Sequence, residues 1–209
     1  MVRLVPPGTL QNASQWFIEL LSAPPEYHQN DQAKKLQRLR TTIGDFAICS
    51  FDYLALVEWE PLPTRFGLRI ARPEMMALAN LLHHPVVADA LIAGTDYKRS
   101  NKDLGRVLAL AYLTIARDRR DGTDELALWP TRMWSAAMAK FGSEAGPLAR
   151  RAGSGVEALL AQEADLAQAL GIANRGLLAT MDLGMEAFRA TGRRLLSEVL
   201  EPLAEVARS

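Results

Sequence analysis

The sequence has one cysteine, no net charge and no long apolar run. Cys49 is the single cysteine among 209 residues, so the chain cannot form an internal disulfide, and a reducing compartment, the cytoplasm, is the expected location. Lysine and arginine together number 24, as do aspartate and glutamate. Because a balanced charge exerts no long-range attraction on nucleic acid or on an anionic membrane, we expect neither general nucleic-acid binding nor membrane association.

The sequence also shows no pattern typical of a membrane span, a signal peptide or an internal repeat. No apolar run approaches the roughly 20 residues that a helix needs to cross a bilayer. The first residues lack the basic start, apolar block and small-residue cleavage site of a signal peptide. What is present, 49% hydrophobic and 23% charged residues, supplies enough apolar side chains for a buried core. We therefore expect a soluble, intracellular globular protein.

The apolar pattern changes type along the chain. In the first third, short branched and aromatic runs bounded by prolines predict four strands. These strands are residues 15–21, 46–51, 53–59 and 65–70. The polar stretch 24–40 predicts a surface loop or a short solvated helix. From Pro73 onward the apolar residues recur with helical spacing, so the expected fold class is α+β: a small antiparallel or mixed sheet followed by a mainly helical bundle.

Prolines and glycines mark the predicted helix boundaries. Pro73 suits the first position of a helix that Pro85 ends, and a short helix follows over 86–92. The next helix, capped by Ser100 or Asn101, has a predicted buried stripe of Leu104, Val107, Leu108, Ala111 and Ile115. Another helix opens at 129–131 and is broken by Gly142, Gly146 and Pro147, and a glycine-rich joint at 153–155 precedes two long helices.

Three parts follow from these boundaries. Residues 1–72 form the strand-rich part, residues 73–150 a helical part packed on it, and residues 151–209 a C-terminal helical hairpin. The final helices carry apolar stripes, and their polar faces mix acids with arginines. Such helices favour intramolecular packing or a homo-oligomer, or a protein partner, over a membrane surface.

Charged residues cluster at the starts of two otherwise apolar helices. The first start is Arg72-Pro73-Glu74. The second is a cationic set around Asp103, made of Lys98, Arg99, Lys102 and Arg106. Clustered cations at a helix start suit a phosphate group, because the free N–H groups and the side-chain charges both attract it. We expect the cationic set to form one rim that binds a nucleoside triphosphate, with Asp103 holding Arg106 or Lys102 in place.

These residues carry a resemblance to an enzyme family. Residues 14–115 combine a strand with one acid, a meander, the Pro73-Glu74 helix through Leu82, and the run Asn101 to Leu108. That order resembles the second half of the nucleotidyltransferase superfamily, in particular the bacterial abortive-infection nucleotidyltransferase toxins of toxin-antitoxin systems. The resemblance implies three carboxylates that bind Mg²⁺ ions, which hold the triphosphate and activate an acceptor hydroxyl.

The resemblance also assigns roles to single residues. It makes Glu19 the third catalytic and metal-binding acid, and it matches Lys102 and Asp103 to a Lys-Asp pair of the second helix, with Asp103 catalytic. Asn80 takes the place of a nucleotide-binding lysine in the first helix.

The family's Gly-Ser turn and Asp-x-Asp pair are missing from the chain. Only eighteen residues precede Glu19, and none of them is acidic. Because Mg²⁺ needs several oxygen anions, Glu19 alone cannot form the site. On this resemblance we expect a truncated or degenerate nucleotidyltransferase-like protein that transfers a nucleotide only if the missing acids come from a preceding sequence or a partner chain. The alternative is a non-catalytic binding or regulatory protein that uses the surface near 98–106.

Each candidate residue also has a structural explanation. Glu19 suits the solvent-facing side of a strand. Asp103 suits the first turn of a helix, paired with Arg99 or Arg106. Asn80 suits a helix in which a neighbouring backbone group satisfies its amide. His83 and His84 are adjacent and point ~100° apart on a helix, so they cannot both face one metal ion.

Overall fold

The computed structural model describes residues 2–4, 18–20, 35–42, 44–50, 52–87 and 98–208. It divides into two compact units, Met1–Ala55 and Leu56–Ser209. Strands dominate the described part of the first unit and helices dominate the second. The expected α+β class, with small antiparallel sheets before a helical bundle, is confirmed.

Two antiparallel strand pairs make up most of the described first unit. Strand β1 (Val2–Leu4) pairs with β2 (Ile18–Leu20). Strand β3 (Lys35–Thr41) pairs with β4 (Gly44–Ser50) across a two-residue connection, the commonest length for a tight hairpin. The strands predicted over 15–21 and 46–51 are therefore confirmed where the structure describes them.

The polar stretch 24–40 was predicted wrongly where it is described. From Lys35 onward it forms β3 instead of a loop or a helix. Its two leucines, Leu36 and Leu39, are three positions apart, so the segment lacks the two-residue apolar period that identifies a strand from sequence. The segment is a strand nonetheless, because it pairs with β4.

The strand predicted over 53–59 was also wrong. Residues Asp52–Glu58 form a 3₁₀ helix, and the N–H of Trp59 continues its pattern by donating to the carbonyl of Leu56 at 3.0 Å. Leu56 is fully buried in the second unit. A short unbroken apolar run has no period of its own, so it fits a helix as well as a strand.

A small hairpin opens the second unit. Strand β5 (Leu62–Pro63) pairs with β6 (Arg69–Ile70), so only the end of the predicted strand over 65–70 is extended and paired. Phe66, Leu68 and Ile70 are exposed in this hairpin.

Eight α-helices are described in the second unit. They are α1 (Pro73–Val87), α2 (Arg99–Asp121), α3 (Trp129–Phe141), α4 (Ala145–Arg151), α5 (Ser154–Ala161), α6 (Glu163–Arg175), α7 (Met185–Leu195) and α8 (Glu201–Val206). Within the described ranges, no helix combines enough length with enough apolar character to span a lipid bilayer.

Helix α2 is the centre of this bundle. It packs against α1, α6 and α7, and the predicted buried stripe is confirmed because all five of its residues are buried. The helix ends at Gly122, which adopts a left-handed conformation (φ +67°) and donates its N–H to the carbonyl of Asp118. This is the usual glycine stop of a helix.

Three proline or glycine positions do not break helices as predicted. Pro85 lies in the last turn of α1, which continues to Val87, and the rest of the helix predicted over 86–92 lies outside the described residues. Gly146 and Pro147 lie in the first turn of α4. At that end of a helix the N–H groups have no intrahelical acceptor, so a proline loses no hydrogen bond there.

Helices from both sides of the predicted boundary at residue 150 pack together in the second unit. Helix α2 contacts α6 and α7, and α8 contacts α3 and α4. The division into parts at residues 72 and 150 stays a prediction.

Candidate functional site

Helices α2 and α6 run in the same direction and approach closely at Gly105. The contacts advance together along both helices, from Lys98 with Asp165 to Gly105 with Ala169. A Cβ atom built on Gly105 would lie 2.7 Å from the carbonyl oxygen of Ala169, closer than real side chains come to a backbone atom. The absence of a side chain at Gly105 therefore sets the spacing of the two helices.

Beside this contact the two helices border an open groove of about 340 Å³. Lys102, Arg106 and Ala109 line its α2 side, and their spacing puts them on one face of the helix. The last turn of α6 and the residues after it supply the other side, which consists of Ile172, Ala173, Gly176 and Leu177. None of these seven lining residues is acidic. We call this site the Lys102–Arg106 groove. It has two cations on its α2 side and an apolar wall on its α6 side.

The two cations of the groove lie where a structural role is also expected. They lie near the C-terminal end of α6, where Gly176 and Leu178 both donate their N–H groups to the carbonyl of Ala173. The carbonyl end of a helix carries partial negative charge, which nearby cations stabilise by ~0.3–1 kcal/mol each when exposed to solvent. Any ligand role has to be separated experimentally from this effect on stability.

Lys98 lies outside the groove and is paired. Its Nζ is 3.1 Å from Oδ2 of Asp165, and Nδ2 of Asn101 donates to Oδ1 of the same carboxylate at 3.0 Å. Asn101 also donates to Oε1 of Gln168 at 2.9 Å. Burial alone would raise the pKa of Asp165, but the hydrogen bonds from Asn101 and Lys98 and the charge of Lys98 together hold this pKa below its usual value. Lys98 and Asn101 therefore tie α2 to α6.

Asp103 lies against a residue of another helix, whereas a partner in its own helix was predicted. Asp103 is 3% exposed, and its Oδ2 lies 3.3 Å from Nδ1 of His83 on α1. It is not a lining residue of the Lys102–Arg106 groove. Asp103 thus joins α2 to α1, and its predicted catalytic role stays a prediction.

The remaining predicted residues are spread over the chain. Asn80 donates its amide to the carbonyl of Met76 at 2.7 Å, one turn earlier in α1, which is the structural role expected for it. Arg99 is half-buried and does not line the groove. Glu19 belongs to β2 in the first unit, opposite Arg3. Of the predicted nucleotide-binding residues, the groove brings together Lys102 and Arg106.

No metal site is found in the part of the chain that the structure describes. No group of three or more histidine, cysteine, aspartate or glutamate side chains is placed there to hold an ion. The role of Glu19 as a Mg²⁺ ligand stays a prediction.

The other charged helix start is an ion cluster that joins α1 to α3. Glu74 is 2% exposed, and its Oε1 lies 3.2 Å from Nη1 of Arg132 and 3.9 Å from Nη1 of Arg72. The same Arg132 nitrogen is 2.7 Å from Oε2 of Glu125, and this hydrogen bond is the main cause of the raised pKa of Arg132. Arg72 in turn donates through Nε to the carbonyl of Glu60. The two acids of this cluster are paired with its two arginines, so the packing of α1 on α3 accounts for these charges.

The apolar wall of the groove could not be found from the sequence. Ile172 and Leu177 lie some seventy positions after the cations that they face. They belong to helical stripes and turns that resemble many others, and no motif links them to α2. The one local signal was the i, i+4 spacing of Lys102 and Arg106, which predicts that these two side chains share a helix face.

No family model matches the chain, and comparison with curated proteins and with solved structures finds no significant similarity. The groove and the predicted motifs are therefore the features of this chain that bear on its function.

Proposed function

We propose that the chain is a non-catalytic binding protein whose second unit holds an anionic ligand in the Lys102–Arg106 groove. The observation that carries the proposal is that Lys102 and Arg106 line one open groove with no acidic side chain in its lining. A nucleoside triphosphate is the ligand that the resemblance implies.

The volume and the open shape of the groove favour a small ligand. A volume of about 340 Å³ lies at the lower end of the range for small-molecule sites. A hydrogen bond to a charged group contributes ~1.5–3 kcal/mol, and loss of one such contact weakens binding by roughly tenfold or more. Two contacts in a groove open to solvent support binding in the micromolar to millimolar range.

Calorimetric titration with ATP in the presence of Mg²⁺ tests the proposal. Lys102→Ala and Arg106→Ala are each expected to weaken binding about tenfold, and the double variant more. Arg119→Ala is the matched control, since Arg119 is an exposed cation near the far end of the same helix. Unchanged heats in both groove variants, or the same loss in the control, would exclude the groove as the anion site. Melting temperatures of all variants separate binding from the effect on α6.

Nucleotide transfer stays a prediction of the resemblance. It requires Mg²⁺, Glu19 and further acids from outside the described residues, because no metal-binding cluster is found among them. Pyrophosphate release from each of the four nucleoside triphosphates with Mg²⁺ tests transfer, with Glu19→Gln as the inactive variant. Release that Glu19→Gln abolishes would replace the non-catalytic proposal.

Association through the C-terminal helices is also still a prediction. Val206 is a large apolar side chain that remains exposed in α8. Light scattering over a concentration series measures the mass directly, and Val206→Glu is expected to return any oligomer to the monomer mass.

A further inference from the structure

We propose that the ligand of the Lys102–Arg106 groove is an amphipathic anion, a charged head on an apolar chain, and that the groove does not recognise a nucleobase. This inference rests on the proposed function and specifies its ligand class. It comes from the composition of the groove wall and from the exposure of Leu177.

The wall opposite the cations offers only apolar contact. Ile172, Ala173 and Leu177 have no side-chain hydrogen-bonding group, and no aromatic ring lines the groove. Proteins select a base by hydrogen bonds to its edges or by stacking on a ring or a guanidinium. The hydrogen-bonding side chains of the lining are Lys102 and Arg106, and the proposed function assigns both to the charged head. The groove side chains therefore cannot distinguish one nucleobase from another.

Leu177 is held outward by an ordered turn. It is 49% exposed, whereas the next residue, Leu178, is fully buried. The N–H of Leu178 donates to the carbonyl of Ala173, and the side chain of Asn174 is hydrogen bonded to both backbone groups of Leu183 further along the connection. The outward position of Leu177 thus follows from the fixed path of the chain after α6.

An apolar chain laid along this wall would complete it. Covering Leu177 and Ile172 removes apolar surface from water at roughly 25 cal/mol per Å², which favours binding without any further polar contact. The electrostatic role of Lys102 and Arg106 at the end of α6 explains the cations alone. The exposed Leu177 beside them takes no part in that effect, whereas an amphipathic ligand would contact both the cations and the leucine.

Matched pairs of small anions test the ligand class. Octyl phosphate is compared with inorganic phosphate, and octanoate with acetate, all below their aggregation concentrations and by calorimetry on the full chain. Each methylene that becomes buried contributes ~0.8 kcal/mol, or about fourfold in affinity, so we expect a gain of at least tenfold for the chain. The two pairs differ in head group, so they show whether phosphate or carboxylate is preferred.

Variants connect the gain to the wall. Leu177→Ser is expected to reduce octyl phosphate affinity several-fold while leaving inorganic phosphate unchanged. Met181→Ser is the control, because Met181 is 46% exposed but does not line the groove. Arg106→Ala is expected to weaken both probes.

The outcomes separate this inference from the proposed function. Equal affinity for octyl phosphate and inorganic phosphate, or a tenfold preference among the four nucleoside triphosphates, overturns the amphipathic ligand but leaves anion binding intact. Failure of every probe, phosphate or carboxylate, to bind overturns both. A chain-length gain that Leu177→Ser removes and Met181→Ser keeps supports both.

Discussion

The guanidinium of Arg132 lies 3.2 Å from the buried carboxylate of Glu74 and joins α3 to the start of α1. Arg72, whose Nη1 lies 3.9 Å from the same carboxylate, is a weaker second partner. Arg132→Met should therefore lower the free energy of unfolding by about 2–3 kcal/mol, because it leaves a buried charge with a weak partner. Urea denaturation measures this loss. Arg119→Met, at an exposed site, should change stability by less than ~0.5 kcal/mol.

A double-mutant cycle tests the reason for that loss. Glu74→Gln in the Arg132→Met background removes the weakly paired charge, so it should restore part of the stability. If Glu74→Gln destabilises both backgrounds equally, Arg132 acts through packing, and the electrostatic explanation is wrong.

The spacing of α2 and α6 gives a second prediction. Gly105→Ala places a Cβ 2.7 Å from a backbone oxygen, so the helices must separate, and we expect a loss of about 1–3 kcal/mol. Gly171→Ala is the control in the same helix pair, because its Cβ would meet the side chain of Arg175 at an ordinary 3.6 Å. That change should stabilise α6 by up to ~1 kcal/mol. Thermal unfolding of both variants measures the contrast.

The parts of this fold that sequence could predict depend on near neighbours along the chain. The buried stripe of α2 follows from a 3.6-residue period, which is set by residues within one helix. The shared face of Lys102 and Arg106 follows from the same period. By contrast, the run over 53–59 has no period, and it became a 3₁₀ helix with Leu56 in the core of the second unit.

The parts that sequence missed depend on partners from distant elements. Lys98 is one helical turn from Lys102 and was expected beside it, yet its partner is Asp165 on α6, more than sixty positions later. Asp103 was expected to pair within its own helix, but the packing of α1 on α2 places His83 against it. Both residues suit a ligand site equally well until the tertiary partner is known.

Acid should remove the contribution of Asp165 to stability. Its folded-state pKa lies below the unfolded value of about 3.9, so the contribution is fully present above that value and is lost as the pH falls through the folded pKa. At pH 7, Asp165→Asn should therefore be less stable than the natural chain by about 1–2 kcal/mol. This difference should shrink below about pH 4, as measured by urea denaturation at a series of pH values.

The pH experiment has an internal check. Asp118 also has a lowered pKa, because hydrogen bonds from Thr123 and the backbone of Leu126 outweigh the effect of its burial. It is present in both proteins, so its contribution cancels in the difference. Asp124→Asn, which removes an exposed aspartate, is the control variant. A difference for Asp165→Asn that is the same at pH 3 and pH 7 would show that Asp165 does not act through its charge.

Asn174 ties the end of α6 to Leu183, across the connection that carries Leu177. Its Nδ2 donates to the carbonyl of Leu183 at 2.9 Å, and its Oδ1 accepts the N–H of Leu183 at 3.2 Å. Asn174→Ala removes both bonds, so we expect a loss of about 1–2 kcal/mol and faster amide hydrogen exchange over 177–184. Octyl phosphate should then bind several-fold more weakly, because Leu177 must be ordered on binding.

Thr180→Ala is the control that separates the effect of the Asn174 hydrogen bonds from the effect of any change in the connection after α6. Thr180 is exposed in the same connection, so its removal should leave both exchange and binding unchanged. If Asn174→Ala speeds exchange but leaves octyl phosphate affinity intact, the wall does not contribute to the ligand site. If exchange is also unchanged, the path of the chain after α6 is held by the buried Leu178 and Leu183 instead of by the Asn174 amide.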